Sequence, residues 1–108
     1  MSKAEIFAGI CGFATTVRAE MDGEVCKLSI DSQCDAIQRM AAELTHVEPF
    51  REISFRRRMP QTLEMAVKYC KHAACPVPVG IIKAVEVEAG LALPADVSIK
   101  IEKTNEEG

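Results

Sequence analysis

Two stretches of the chain alternate apolar and polar residues. Phe13, Thr15, Val17, Ala19 and Met21 fall on one face, and Thr16, Arg18 and Glu20 on the other. Cys26, Leu28 and Ile30 likewise alternate with Val25, Lys27 and Ser29. A period of two marks half-buried strands. Asp22-Gly23, between the two, tolerates the positive φ values of a type I′ turn, so the pattern predicts an antiparallel hairpin. An earlier piece, residues 5–10, runs into the first strand, with Gly9 and Gly12 marking a bulge or bend.

The period then changes. Cys34, Ile37, Met40, Ala41 and Leu44 recur at helical spacing behind a cap at Asp31 or Ser32, and Pro49 closes the segment. Residues 52–58 read as a short strand or a loop. Residues 62–73 form a second helix with Leu63, Ala66, Val67 and Cys70 towards the core. Cys75-Pro76-Val77-Pro78 is a rigid connector. A third helix starts at Pro78, carries Ile81, Ile82, Val85 and Ala89, and ends at Gly90. Val97, Ile99 and Ile101 alternate with Ser98, Lys100 and Glu102 as a last strand. The order predicts an α+β fold, a hairpin-based antiparallel sheet packed on about three helices. Residues 1–103 form a single domain and residues 104–108 a frayed acidic tail.

Composition narrows the function. The chain has 108 residues with a net charge of −3, 48% apolar residues, one Tyr and no Trp. Mild acidity and scarce aromatics argue against nucleic acid as a partner. No apolar run reaches the roughly 20 residues of a membrane span. The N-terminal residues lack a secretory pattern, so a cytoplasmic location is expected. No HExxH, GxSxG or phosphate-loop motif occurs, and Glu86 and Glu88 read as solvent-facing; the balance leans against an enzyme. Arg51, Arg56, Arg57 and Arg58 are the basic cluster, either a solvated segment or a contact for an anionic ligand or a protein partner.

Five cysteines, an odd number, do not make a secreted disulfide framework. If Met21 faces Glu24 across the turn, then Val17 faces Leu28, Thr15 faces Ile30 and Cys11 faces Cys34. Cys34 also opens the following helix, where free backbone N–H groups favour a thiolate. His72-x-x-Cys75 adds two side chains that can converge at a helix end. Cys11, Cys34, His72 and Cys75 therefore have the ligand types of a metal site for zinc or an iron–sulfur cluster. Each cysteine taken singly is equally a small core residue, and for Cys26 and Cys70 core packing is the favoured reading.

With Cys11-Gly12-Phe13 and Cys75-Pro76-Val77-Pro78, the chain resembles a small prokaryotic family of unknown function that carries Cys-Gly-Phe and Cys-Pro-Val-Pro motifs. By weaker analogy, Cys11-Gly12, Cys34-Asp35 and His72-Ala73-Ala74-Cys75 resemble the NifU/IscU-type iron–sulfur scaffolds. That analogy implies Cys11, Cys34 and Cys75 as cluster or zinc ligands, with His72 auxiliary. Two alanines separate the His and Cys that are adjacent in those scaffolds, and Phe13 stands where they usually carry an acidic residue. Three readings follow: a small metal-binding protein; a thiol-redox or persulfide carrier with Cys34 reactive and Cys11 or Cys75 resolving; or a metal-free interaction module.

Overall fold

The computed structural model describes residues 1–56 and 58–105. It contains strands β1 (Ser2–Phe7), β2 (Ala14–Asp22) and β3 (Val25–Ser32), helix α1 (Asp35–Glu43) and a short strand β4 (His46–Val47). Helices α2 (Pro49–Glu52), α3 (Gln61–Tyr69) and α4 (Val77–Glu88) follow. The four strands form one antiparallel sheet in the order β1-β2-β3-β4. The fold is α+β, with a one-turn helix, α2, added to the three expected.

The hairpin forms as expected, but its register differs by two residues. Asp22 pairs with Val25 and Met21 with Cys26, so Val17 faces Ile30 and Thr15 faces Ser32. The turn residues are Gly23 and Glu24, and Gly23 has a φ of +67°. Among the described residues no non-glycine residue has positive φ. An Asp22-Gly23 type I′ turn would demand it at both positions, whereas a turn that needs it only at the first uses the glycine and spares Asp22. An even shift preserves the faces: Thr15, Val17, Ala19, Cys26 and Leu28 are all buried.

The piece before the hairpin is a separate edge strand, β1, joined to β2 by a tight loop. Ala8 N–H donates to the Phe13 carbonyl at 3.0 Å and Gly12 N–H to the Gly9 carbonyl at 2.9 Å. Gly9 and Gly12 take φ values of +88° and +74°, which other residues adopt only at a cost.

α4 packs across the inner face of the sheet through Val77, Ile81, Ala84 and Val85. At Gly80 the helix meets β1 so closely that an added Cβ would overlap the Ile6 side chain. Glu88 secures the far end. Its carboxylate accepts from the Met21 N–H and the Ser2 hydroxyl, each at 3.0 Å. Glu88 is therefore an anchor of the sheet, not the solvated side chain its position suggested.

α1 buries Ala36, Ile37 and Met40, and Leu44 follows at its C-cap, much as the spacing predicts. α3 does not follow the prediction. It ends at Tyr69, because Cys70 is already extended. It is also rotated about its axis: Thr62, Met65 and Tyr69 turn inward, and Val67 is 86% exposed. The cause is Glu52, 1% exposed at the end of α2. One carboxylate oxygen accepts from the Gln61 N–H at 2.8 Å. The other accepts from the Thr62 N–H at 2.8 Å and the Thr62 hydroxyl at 2.5 Å. Pro60 caps α3 without a side-chain oxygen, so Glu52 satisfies the free N–H groups from a distance and sets which face turns inward.

The described part of residues 52–58 forms no strand: Glu52 ends α2 and the described residues after it are loop, while Arg57 lies outside the description. The expected last strand is also unpaired. Among the described residues, residues 97–101 have no strand partner, and Ile99 and Ile101 are 77% and 87% exposed. Alternation specifies two faces but supplies no neighbouring edge. The acidic tail reading falls partly on residues 106–108, which lie outside the described residues.

Replacing Glu52 by Ala is expected to cost about 3 kcal/mol, because it strands buried donors at the start of α3. Glu52→Gln, which keeps one acceptor oxygen, should cost less, and urea unfolding of the three proteins checks the order. For Glu88, the Met21 N–H and then the Ser2 hydroxyl hold the carboxyl pKa below its ordinary value. Its stabilising contribution is therefore complete above the unfolded pKa, about 4.3, and is lost as pH falls through the lower folded value. Glu88→Gln should flatten that part of the stability–pH curve measured by thermal unfolding.

Candidate functional site: a cysteine-lined cleft

A cleft of about 490 Å³ opens at the end of the sheet where the β1–β2 loop, the start of α1 and the α3–α4 connection meet. Cys11, Cys34, Cys70, His72 and Cys75 all line it. The four residues singled out from the sequence thus come to one place, and Cys70 joins them.

Each arrives for a local reason. Cys11 is exposed in the glycine-hinged loop and forms no strand pair with Cys34. The actual register and the loop end the ladder at Thr15 and Ser32. Cys34 is the N-cap of α1, with φ −88° and ψ 124°, so neither Asp31 nor Ser32 holds that position. Ser32 supports it: its hydroxyl accepts from the Cys34 N–H at 3.1 Å and lies 2.7 Å from the Thr15 hydroxyl. The Cys34 side chain makes no capping hydrogen bond.

Cys70 is the C-cap of α3, its N–H donating to the Ala66 carbonyl at 2.8 Å. A turn follows, closed by the Cys75 N–H on the His72 carbonyl at 3.2 Å, and Pro76 and Pro78 then lead into α4. His72 is exposed; Cys34, Cys70 and Cys75 are half-buried and pack partly against the core. Phe13, Ile37 and Val77 supply apolar wall.

Burial pushes the Cys70 thiol up to about 11, and the neighbouring Cys75 and Cys34 thiols push it the same way. Cys26, fully buried between the sheet and the helices, lies outside the cleft; burial and then the Glu88 charge raise its pKa. Core packing is thus the right reading for Cys26, whereas Cys70 packs against the core and also faces the cleft. Its helical stripe, shared with Leu63 and Val67, concealed this. The early end of α3 is what turns residue 70 out of that stripe.

Among the described residues, no three His, Cys, Asp or Glu side chains gather tightly enough to hold a single metal ion. Thiolates on one zinc ion sit about 3.8 Å apart, given Zn–S bonds of about 2.3 Å in a tetrahedron. Arg51 pairs with Glu64 and donates to the Met59 carbonyl at 3.2 Å, away from the cleft. Arg56 and Arg58 are exposed.

Fold and site together define a small α+β domain with a thiol-lined cleft at one end of its sheet. The chain belongs to a family described as a family of unknown function (DUF6951), whose model matches residues 2–101. No curated protein and no solved structure matches the chain, so the likeness to the iron–sulfur scaffolds rests on the quoted residues alone. No helix among the described residues is long and apolar enough to cross a membrane.

In the metal-free protein at neutral pH, Cys70 should carry about a hundredfold less thiolate than an unperturbed cysteine. Alkylation by iodoacetamide, followed by peptide mass spectrometry, should label the exposed Cys11 first. Cys70 and Cys26 should be labelled last, and should catch up when the protein is unfolded.

Proposed function

We propose that the cleft binds a thiolate-held metal cofactor, an iron–sulfur cluster in preference to a lone zinc ion. The observation that carries the reading is the gathering of four of the five cysteines, from three separate segments, around one cleft. A single ion needs its ligands to converge on a point, and these do not. A cluster offers several irons, each taking its own thiolate, so its ligands need only surround a body. Cys34, Cys70 and Cys75 would hold it from the walls. Cys11 would close the site from its loop, with His72 as an alternative fourth donor. Binding would remove the thiol protons, which at Cys70 are held tightly in the free protein. The apolar wall would keep water from the sulfurs.

A second reading is favoured by Cys70 and Cys75, which line the same part of the cleft, the Cys75 thiol adding to the burial that pushes the Cys70 pKa up. Here the pair is a dithiol carrier. One thiolate attacks a substrate disulfide and releases one of its sulfurs as a thiol; the second then displaces the other, leaving a Cys70–Cys75 disulfide. The two protein thiols are oxidised and the substrate disulfide is reduced.

Anaerobic purification without chelators, with iron, zinc and acid-labile sulfide analysis and an absorption spectrum, separates these readings. Iron and sulfide are expected, falling to background in Cys34→Ala and Cys70→Ala while Cys11→Ala retains part. A protein free of metal both as isolated and after anaerobic reconstitution would reject the cofactor. A reversible Cys70–Cys75 disulfide in that protein would then establish the carrier, and its absence would leave the interaction module.

A further inference from the structure

Among the described residues the sheet has an open edge at β1, and residues 97–101 alternate apolar and polar positions without a strand partner. β1 bonds to β2 on one side only, so backbone N–H and C=O groups along its other side have no sheet partner. Such edges pair with other strands unless they are blocked. Beside this edge lies a groove of about 740 Å³ between β1, the outer side of α4 at Lys83 and Val87, and residues 94–97. It has the place of one more strand, lying next to β1 and over α4.

We propose that residues 98–103 of a second copy of this chain fill that place, each copy lending its C-terminal segment to the other's β1 in a twofold exchange. The two strands match in one antiparallel register. Ala4 would face Ile101 and Ile6 would face Ile99, with all four side chains on the α4 side. On the outer face Lys3 would oppose Glu102 and Glu5 would oppose Lys100, giving two opposite-charge pairs. Sliding by two residues one way sets Lys3 against Lys100; sliding the other way sets Glu5 against Glu102. A parallel alignment with the apolar faces matched yields at most one such pair. The charge pattern therefore selects both direction and register.

A chain cannot readily make this ladder with its own β1. The Glu88–Ser2 hydrogen bond starts the C-terminal segment at the strand's N-terminal end. Residues 94–97 form the far wall of the groove near that end, whereas the antiparallel register needs Val97 past Phe7. Ile99 and Ile101, 77% and 87% exposed in the single chain, would be covered in the pair.

Sedimentation velocity on the full chain across the micromolar range tests the exchange independently of the cysteines. A dimer is expected, and Ile99→Asp with Ile101→Asp should make it monomeric with an unchanged circular dichroism spectrum. Lys3→Glu with Glu5→Lys should weaken the dimer by about tenfold or more. Adding Lys100→Glu and Glu102→Lys to that variant should restore it. A monomeric full chain, a dimer indifferent to the Ile99 and Ile101 changes, or a failure of the second charge pair to rescue the first would overturn the proposal.

Discussion

The buried carboxylate of Glu52 is the interaction on which the rest of the helical layer depends. A carboxylate removed from water without partners is unfavourable by several kcal/mol. Here its two oxygens receive the Gln61 and Thr62 N–H groups and the Thr62 hydroxyl. Charge-assisted bonds of this kind offset the desolvation and are directional. They hold the start of α3 against the end of α2 and set which face of α3 turns inward. The position of Cys70 at the other end of α3, and with it one wall of the cleft, follows from that constraint.

The cleft lies where several chain ends meet, which gives its thiols unlike environments. Cys11 stands on a glycine-hinged loop, Cys34 opens a helix, Cys70 closes another and Cys75 precedes a proline-stiffened connection. Outside the loop the supports are firm. Ser32 is bonded to both Thr15 and the Cys34 backbone, and Glu43 takes Lys68 Nζ at 3.0 Å and the Tyr69 hydroxyl, joining α1 to α3. Three half-buried sulfurs on helix ends and a proline-stiffened connection, with one exposed on a loop, suit a ligand held from the walls and reached from the loop side. The same arrangement suits a dithiol whose partner must approach one sulfur.

At the opposite side of the molecule the sheet is incomplete. A groove runs between β1, α4 and residues 94–97, and Gly80 draws β1 close beneath α4 through Ile6. The apolar alternation at Val97, Ile99 and Ile101 is the part of the sequence that the single chain leaves without a use.

The faces of the elements were legible in the sequence. The parity of Thr15, Val17, Ala19, Cys26 and Leu28 and the stripe of Ile37, Met40 and Leu44 follow from spacing, whereas Cys11, Cys34, His72 and Cys75 share a cleft although the strand pairing expected to join Cys11 to Cys34 does not form. Spacing is a property of one element and needs no knowledge of the others. The hairpin register was not legible in this way, because it turned on whether Asp22 or Glu24 shared the turn with Gly23. Nor was the inward face of α3, which depended on a carboxylate ten residues upstream of Thr62. Nor was the membership of Cys70 in the cleft, since its helical period continued after the helix had stopped. Local patterns record which side of an element avoids water. Which elements meet, and at what rotation, is decided by contacts between residues far apart in the chain, and these exist only once it is folded.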